Sequence, residues 1–520
     1  MSETREYELK LETEPQDALW IKNHPPGRET QTQSLTSVYF DTEDLRLRDA
    51  GVFLRVRQIG NRYIQTIKTS QGDVFSRNEW EHEISTPWPD LGSADQGARE
   101  RLPKRDLARS LRPVFETRVE RTTSQVDKNG STIELALEHG EIDTGERRFP
   151  LSELELELKN GNLRELFRLA HELSASVPIQ LAVRSKPERG YALVVDGEPN
   201  PVEKAGELSI SATTTTENAF KAIAKQCLRQ VLANRPAMLS RNAEALHQMR
   251  IGLRRLRTAN SLFKDVVGGS DRERIKTELK WITTELGPAR DLDVLNAEVL
   301  PSIGEVLSQQ NDFAEAARQE FQERREQAYD KAAHAVKSAR FANAMLEAAE
   351  WIETGQWTTP DDPLLKLRRA QPISVHAAAE LARRYKKIRR KGRHLRQRDS
   401  KQRHKLRIRA KKLRYGIEFF TCLVAGKKNE RRQDAALSSL KELQSALGSL
   451  NDVATREKLM AEIATKEQAR SRVSFVAGTI YAAEDARTGK LLKSAAKAHK
   501  EFSKVKPFWN TAELRADQSC

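Results

Sequence analysis

Ser152-Glu153-Leu154-Glu155-Leu156-Glu157-Leu158-Lys159 places a charge at every second position and a leucine between each pair. A period of two is the signature of a β-strand, whose successive side chains leave on opposite faces. One face of this strand is therefore apolar, and the other carries three carboxylates and an ammonium. The same arrangement recurs through the first 195 residues. Glu6, Glu8 and Lys10 share a face, as do Arg55 and Arg57, Thr66 and Lys68, the row Arg77, Glu79, Glu81 and Glu83, and finally Arg184 and Lys186. Leu9, Leu54, Val56, Ile67 and Trp80 alternate with them. For any one strand, an ordinary amphipathic edge with its charges in water remains open; for six strands together that account weakens. Many regularly spaced strands predict a closed antiparallel sheet, which has an inside. If the apolar faces pack outward against helices, expected at about 98–112 and 161–175, the charges point inward. There they must be neutralised by one another or by a ligand. Carboxylate pairs suit a hard divalent cation, and arginine and lysine pairs suit phosphate. The two together describe a site for a metal–oligophosphate complex, in which charge on a transferred phosphoryl group is neutralised and its nucleophile aligned.

The rest of the chain is built differently. At 520 residues, 38% hydrophobic and 31% charged, the composition is that of globular domains rather than of a disordered chain, with room for two to four of them. The net charge of +15 is unevenly placed: the first 200 residues carry an acidic excess and the remainder a larger basic one. A basic half needs a polyanion, a membrane surface or an acidic partner. The start, MSETREYELK, lacks a charged-then-apolar leader pattern, and no apolar run approaches the roughly 20 residues of a membrane helix. A cytoplasmic address without a membrane partner is expected. Cys227, Cys422 and Cys520 have no metal-ligand spacing and argue against a disulfide framework.

Residues 196–216, rich in Pro, Gly, Glu and Thr, read as a linker between a first domain at 1–195 and a helical domain at 217–510. Within the second domain a motif appears twice. His247-Gln248-Met249-Arg250-Ile251-Gly252-Leu253-Arg254-Arg255-Leu256-Arg257 is echoed by His404-Lys405-Leu406-Arg407-Ile408-Arg409-Ala410-Lys411-Lys412-Leu413-Arg414. Leu286-Gly287 and Asp291 are likewise echoed by Leu447-Gly448 and Asp452. An internal twofold repeat is expected, over about 217–350 and 370–505. On a helix, His247, Arg250, Arg254 and Arg257 fall within an arc of roughly 80°, opposite Met249, Leu253, Leu256, Ala259 and Phe263. His404, Arg407, Lys411 and Arg414 do the same, with Arg255 and Lys412 flanking the two stripes. Like charges at these spacings repel on an isolated helix, so a polyanion is the expected counter-charge. The run Arg383–Lys391 adds positive charge, although such a run is more often a solvated face. Few aromatics stand where bases would stack, which argues against nucleic acid.

Two resemblances sharpen this. Glu6-Tyr7-Glu8-Leu9-Lys10, Tyr39-Phe40-Asp41, Leu54-Arg55-Val56-Arg57, Thr66-Ile67-Lys68, Arg77-Asn78-Glu79-Trp80-Glu81 and the Glu153–Glu157 row resemble, in order, the CYTH domain of the triphosphate tunnel metalloenzymes. The paired His-x-x-Arg stripes and Leu-Gly elements resemble the CHAD domain, a helical polyphosphate-binding family. The tandem is a recurring bacterial arrangement. Together they imply an α+β multidomain chain: an eight-stranded antiparallel tunnel with flanking helices, then an all-α bundle. They imply Mg²⁺ or Mn²⁺ at Glu6, Glu8, Glu155 and Glu157, and catalysis by Glu6, Glu8, Lys10, Glu79 and Glu81. Triphosphate is expected along Lys10, Arg55, Arg57, Lys68, Arg77, Arg118, Arg184 and Lys186. Polyphosphate is expected on His247, Arg250, Arg254, Arg255, Arg257, His404, Arg407, Lys411, Lys412 and Arg414. Where the family often has Asp, this chain has Glu138, whose longer reach leaves it out of the expected set. The expected activity is hydrolysis of inorganic triphosphate or short polyphosphate, with association to polyphosphate granules as a consequence of binding. The rivals are a polyphosphate-binding protein without turnover, and an enzyme for thiamine triphosphate or ATP.

Overall fold

The computed structural model describes residues 5–69, 74–103, 106–298, 311–464 and 489–509. Nine strands form one antiparallel sheet: β1 (Arg5–Thr13), β2 (Arg28–Asp41), β3 (Val52–Ile59), β4 (Arg62–Thr69), β5 (Ser76–Ile84), β6 (Arg112–Lys128), β7 (Ser131–Asp143), β8 (Arg148–Asn160) and β9 (Ile179–Ala182). Their order is β5-β4-β3-β2-β6-β7-β8-β1-β9. The N-terminal part of β1 also pairs with β5, Glu6 opposite Arg77, so β1 to β8 close into a ring. Beyond that contact the free edge of β1 takes up β9, with Lys10 opposite Ala182. The sheet thus has nine strands where eight were expected. The ninth is four residues long, too short for its alternation to announce it.

The apolar faces pack outward. Phe40, Leu47, Leu54, Val56, Ile67 and Ile84 form one cluster with Ala94, Ala98, Leu102, Leu107 and Leu111 of the connection that follows β5. The helical insert expected at 98–112 is two single turns, Gln96–Arg99 and Leu107–Ser110. The other insert is the helix Leu163–Ser176, which sets Leu166, Phe167, Leu169, Ala170 and Leu173 into the core. At about 25 cal/mol per Å² of apolar surface, this burial is the main force holding the charged faces inward.

The interior is only partly charged. Leu35, Tyr39, Phe53, Phe115, Val119, Ile142 and Leu151 form a second cluster with Tyr191 and Leu193 of the helix Lys186–Val195. Tyr39 stacks on Phe115 at 4.5 Å, and Tyr191 meets Phe115 edge-on at 5.2 Å. A Cβ on Gly190 would lie 2.2 Å from the Phe115 ring, so only glycine lets that helix seat.

The barrel forms one compact unit with two stretches of the helical half, Lys225–Gly252 and Ala335–Gly355. Helix Leu163–Ser176 packs on helix Ala339–Thr354, where His171 Nε2 lies 3.0 Å from Glu350 and Arg164 donates to the Thr354 carbonyl at 3.0 Å. Helix Ala243–Leu262 crosses helix Thr216–Ala233 closely at Gly252, where a Cβ would come within 2.9 Å of Val231. The remaining helical segments form the second unit. Its core joins Phe220, Phe263, Trp357, His376 and Phe420, and helix Ser400–Phe419 packs between Ile373–Lys391 and Lys427–Ala464. Among the described residues no helix is long and apolar enough to cross a membrane.

Candidate functional site

All eight strands of the ring contribute to a cavity of about 210 Å³. The strand register decides which side chains meet. Glu8 of β1 stands opposite Glu157 of β8, which stands opposite Glu134 of β7. One row along, Lys10 stands opposite Glu155. On the far wall Lys68 stands opposite Glu79, and Arg55 opposite Thr66, itself opposite Glu81.

These charges are largely matched. Lys10 is hydrogen-bonded to Glu155 and lies 3.1 Å from Glu8. Lys186 Nζ reaches Glu155 at 2.8 Å, Glu138 at 2.9 Å and Glu153 at 3.0 Å. Arg121 donates to Glu138 at 2.9 Å and to Glu134 at 3.1 Å. Lys68 pairs with Glu79, and Arg55 lies 3.2 Å from Glu81. Burial opposes the charge on Glu155, but Lys10, then Lys186 and Arg121, hold its carboxyl well below the usual range. Burial likewise opposes the charge on Lys186, but Glu138, Glu153 and Glu155 hold its ammonium well above the usual lysine value.

Two places are not matched. Burial, then Glu79 and Glu157, push Glu6 up to about 7, so carboxylates are crowded at that end. Burial and the neighbouring Arg55 pull Arg57 down to about 10. Arg57 makes no ion pair among the described residues; its Nε donates to Ser37 Oγ at 3.2 Å. A surplus of carboxylate beside a surplus of cation is what a divalent cation and a phosphate would each relieve.

The donor chemistry at Glu6, Glu8, Glu155 and Glu157 fits such a cation: hard carboxylate oxygens lining one cavity, with Glu6 raised by burial first and then by Glu79 and Glu157. Among the described residues no three acidic, histidine or cysteine groups are already gathered as a metal cage. The oxygens are turned instead toward Lys10, Lys186, Arg121 and Lys159. Because the folded pKa of Glu6 is raised, folded protein binds its proton more tightly than unfolded chain. Its contribution to stability is present at low pH and is lost as pH rises from about 4.5 to about 7. In chelator, Glu6→Gln is therefore expected to reduce the fall in urea midpoint between pH 5 and pH 8; an unchanged slope would take Glu6 out of the crowded group.

Of the residues expected here, the cavity lining includes Glu6, Glu8, Lys10, Arg55, Arg57, Lys68, Glu79, Glu81, Glu155, Glu157 and Lys186. The side chain of Arg77 lies outside the described residues. Arg118 and Arg184 are placed elsewhere. Arg118 shares a face with Glu116, opposite to that of Val119 and Arg121, and pairs with Asp143 at 3.3 Å. Arg184 donates to the Pro201 carbonyl at 2.6 Å and lies 3.3 Å from Glu203, so it fastens the segment after the barrel. The lining also includes Tyr39, Arg121, Glu134, Glu138 and Lys159. Glu138, set aside for its reach, has that reach taken up by Arg121 and Lys186.

In the helical half, the apolar faces of both stripes are buried, as the helical period requires. His247, Arg250, Arg254 and Arg257 are half-buried on helix Ala243–Leu262. On helix Ser400–Phe419, His404 is exposed, while Arg407, Lys411, Lys412 and Arg414 are half-buried. Arg254 is held below its ordinary value by burial and by Arg407, Arg290 and Arg414. Burial and then Arg384, Arg257, Lys276 and Arg272 bring Lys412 down to about 8. Cations from separate helices therefore converge in two groups. Arg255 belongs to neither: it is buried, 5.0 Å over the Phe419 ring and 3.6 Å from Glu418. A Cβ on Gly448 would come within 3.3 Å of the Arg407 guanidinium, so the glycine of Leu447-Gly448 leaves room for that side chain. Asp452 lies outside the described side chains.

Residues 4–191 match the CYTH domain model and residues 222–461 the CHAD domain model. An inorganic triphosphatase of Haemophilus influenzae is 33% identical over 194 residues, 36% of this chain and 55% of that protein. The chain thus spans about half the length of the curated relative it matches. The crystal structure of the CHAD domain from the plant Ricinus communis is 27% identical with a TM-score of 0.51, over 58% of this chain and 96% of that one.

Proposed function

Because the chain carries a CYTH domain followed by a CHAD domain, we propose that its barrel hydrolyses inorganic triphosphate or short polyphosphate with Mg²⁺ or Mn²⁺, and that its basic helices bind polyphosphate. The observation that carries the first part is the juxtaposition, in one cavity, of the crowded carboxylate Glu6 with the half-buried cation Arg57. Arg55, Arg57, Lys68, Lys10 and Lys186 would neutralise the phosphate oxygens and fix the chain's direction along the barrel. Glu79 and Glu81 orient Lys68 and Arg55 for that task. A divalent cation held by Glu6, Glu8, Glu155 and Glu157 would neutralise further phosphate oxygens and lower the pKa of a bound water. An organic triphosphate would need a pocket for its base or thiazole; Tyr39 is the one aromatic in the cavity lining among the described residues, and it is already stacked on Phe115.

The test is phosphate release from tripolyphosphate, long polyphosphate, ATP and thiamine triphosphate with each metal. Tripolyphosphate is expected to be the fastest substrate. Absence of release from all four would leave polyphosphate binding without turnover as the better reading.

For the helical half, Arg254→Ala combined with Lys411→Ala is expected to weaken binding of long polyphosphate about tenfold or more. The slope of log affinity against log salt should flatten by about one to two. Tripolyphosphate hydrolysis should stay within about twofold of the parent. Equal loss of both activities would mean that the two sites are not separate, and equal competition by RNA at matched salt would widen the ligand class.

A further inference from the structure

Lys186 is the first residue of its helix, and the backbone on both sides of it is held from outside the barrel. Ser185 caps the helix through a reciprocal box: Ser185 Oγ accepts from the Glu188 amide at 3.4 Å, and Glu188 Oε2 accepts from the Ser185 amide at 2.8 Å and its hydroxyl at 2.7 Å. The other oxygen of Glu188 accepts from Arg229 Nη2 at 2.7 Å. Arg229 belongs to helix Thr216–Ala233, in the part of the helical half that shares the barrel's compact unit. Its Nη1 donates to the Val183 carbonyl at 2.9 Å, and its Nε and Nη2 donate to Glu203 at 2.7 and 3.1 Å. One planar guanidinium therefore ties the carbonyl three residues before Lys186 to the carboxylate two residues after it. This fork geometry belongs to arginine and cannot be supplied by a point-charge ammonium. The helix that carries Arg229 is seated independently of these bonds by Cys227, Leu228 and Val231, all fully buried.

We propose that Arg229 is a positioning residue for the triphosphate site. It sets the angle at which Lys186 enters the cavity, so the basic wall of the barrel is completed by a residue of the helical half. Among the described residues the hydrogen bonds of Arg229 go to Val183, Glu188 and Glu203, none of which lines the cavity, so it acts by fixing residues 183–188. The proposal rests on the reading that Lys186 meets triphosphate in the barrel.

The experiment uses the full chain, with Arg229→Ala and Arg229→Lys beside the parent. KM and kcat are measured for tripolyphosphate with Mg²⁺, together with metal-free tripolyphosphate affinity by calorimetry and binding of long polyphosphate. For Arg229→Ala, KM is expected to rise about tenfold with kcat within about threefold, calorimetric affinity to fall in step, and polyphosphate binding to hold. Arg229→Lys, which keeps the charge and the fold but not the fork, is expected to raise KM about threefold, and it carries the test if the alanine variant does not fold. An unchanged KM overturns the proposal, including the case where kcat falls alone, since that reports fewer folded molecules and not a misplaced lysine. A parent chain that neither binds nor cleaves tripolyphosphate overturns the reading of the barrel and this proposal with it; an active parent with an unchanged KM in the variants overturns only the role of Arg229.

Discussion

Lys186→Met is expected to lower the unfolding free energy at pH 7 by about 3–5 kcal/mol, the usual cost of removing one partner from a buried charge cluster. Methionine replaces the apolar stem and lacks only the terminal ammonium position, so the loss is chiefly that of the charge. Lys186 is 9% exposed, and its ammonium is shared by Glu138, Glu153 and Glu155, of which Glu138 and Glu153 are 1% and 0% exposed. In the variant, burial of Glu153 is opposed by Arg189 and Lys10 without its strongest partner, so its folded pKa rises. In the parent that pKa lies below 4.5, so the stability it contributes is present above the unfolded value and is lost as pH falls below it. The variant reverses the sign: its deficit is largest above about pH 5 and shrinks in acid, where the orphaned carboxylates can take up protons. Urea unfolding at pH 7 and at pH 4.5 reads both parts. A deficit under about 1 kcal/mol at pH 7 would show that Arg121, Arg189 and Lys10 neutralise the three glutamates without help.

That cluster also shows where sequence and structure part company. The alternation of Glu153 to Glu157 and of Arg55 with Arg57 was legible because each strand is long enough to state its phase, and its apolar face is unbroken. The resemblance, not the alternation, put Arg118 among the expected triphosphate ligands, and it does not line the cavity. In β6 the run Glu116, Arg118, Glu120 is a charged alternation, yet the inner face there is Phe115, Thr117 and Val119, because the barrel interior turns apolar toward the helix that carries Tyr191. Alternation says that two faces differ; it does not say which one is inside when the inside is itself of two kinds. Arg184 misled for a different reason: its partners, the carbonyls of Pro199 and Pro201 and the carboxylate of Glu203, lie in a segment with no periodicity to fix its path. Glu138 was judged by the length of its side chain alone, when the deciding facts were the two cations, Arg121 and Lys186, that meet it from other elements. In the helical half the stripes were read from the helical period, but Arg255 turns inward because Phe419 offers it a ring face and Glu418 a counter-charge.

Glu8→Gln is expected to lower metal-dependent release of phosphate from tripolyphosphate about a hundredfold or more, with little change in fold. Glutamine has the same shape and keeps one acceptor oxygen, so packing in β1 between Tyr7 and Leu9 is undisturbed. What is lost is one negative charge in the row Glu8, Glu157, Glu134, where three adjacent strands set carboxylates side by side. Lys10 keeps its bond to Glu155, so no buried ammonium is stranded and the unfolding free energy should move by less than about 1 kcal/mol. Removing a like charge from that row even favours the metal-free fold, whereas it weakens any divalent cation held there. Calorimetric titration with Mn²⁺ should accordingly show affinity reduced by about tenfold or more, alongside unchanged binding of long polyphosphate. The paired readouts separate the causes. Turnover within about threefold of the parent would remove Glu8 from the chemistry, and lost turnover at undiminished Mn²⁺ affinity would move its role from holding a cation to orienting Lys10.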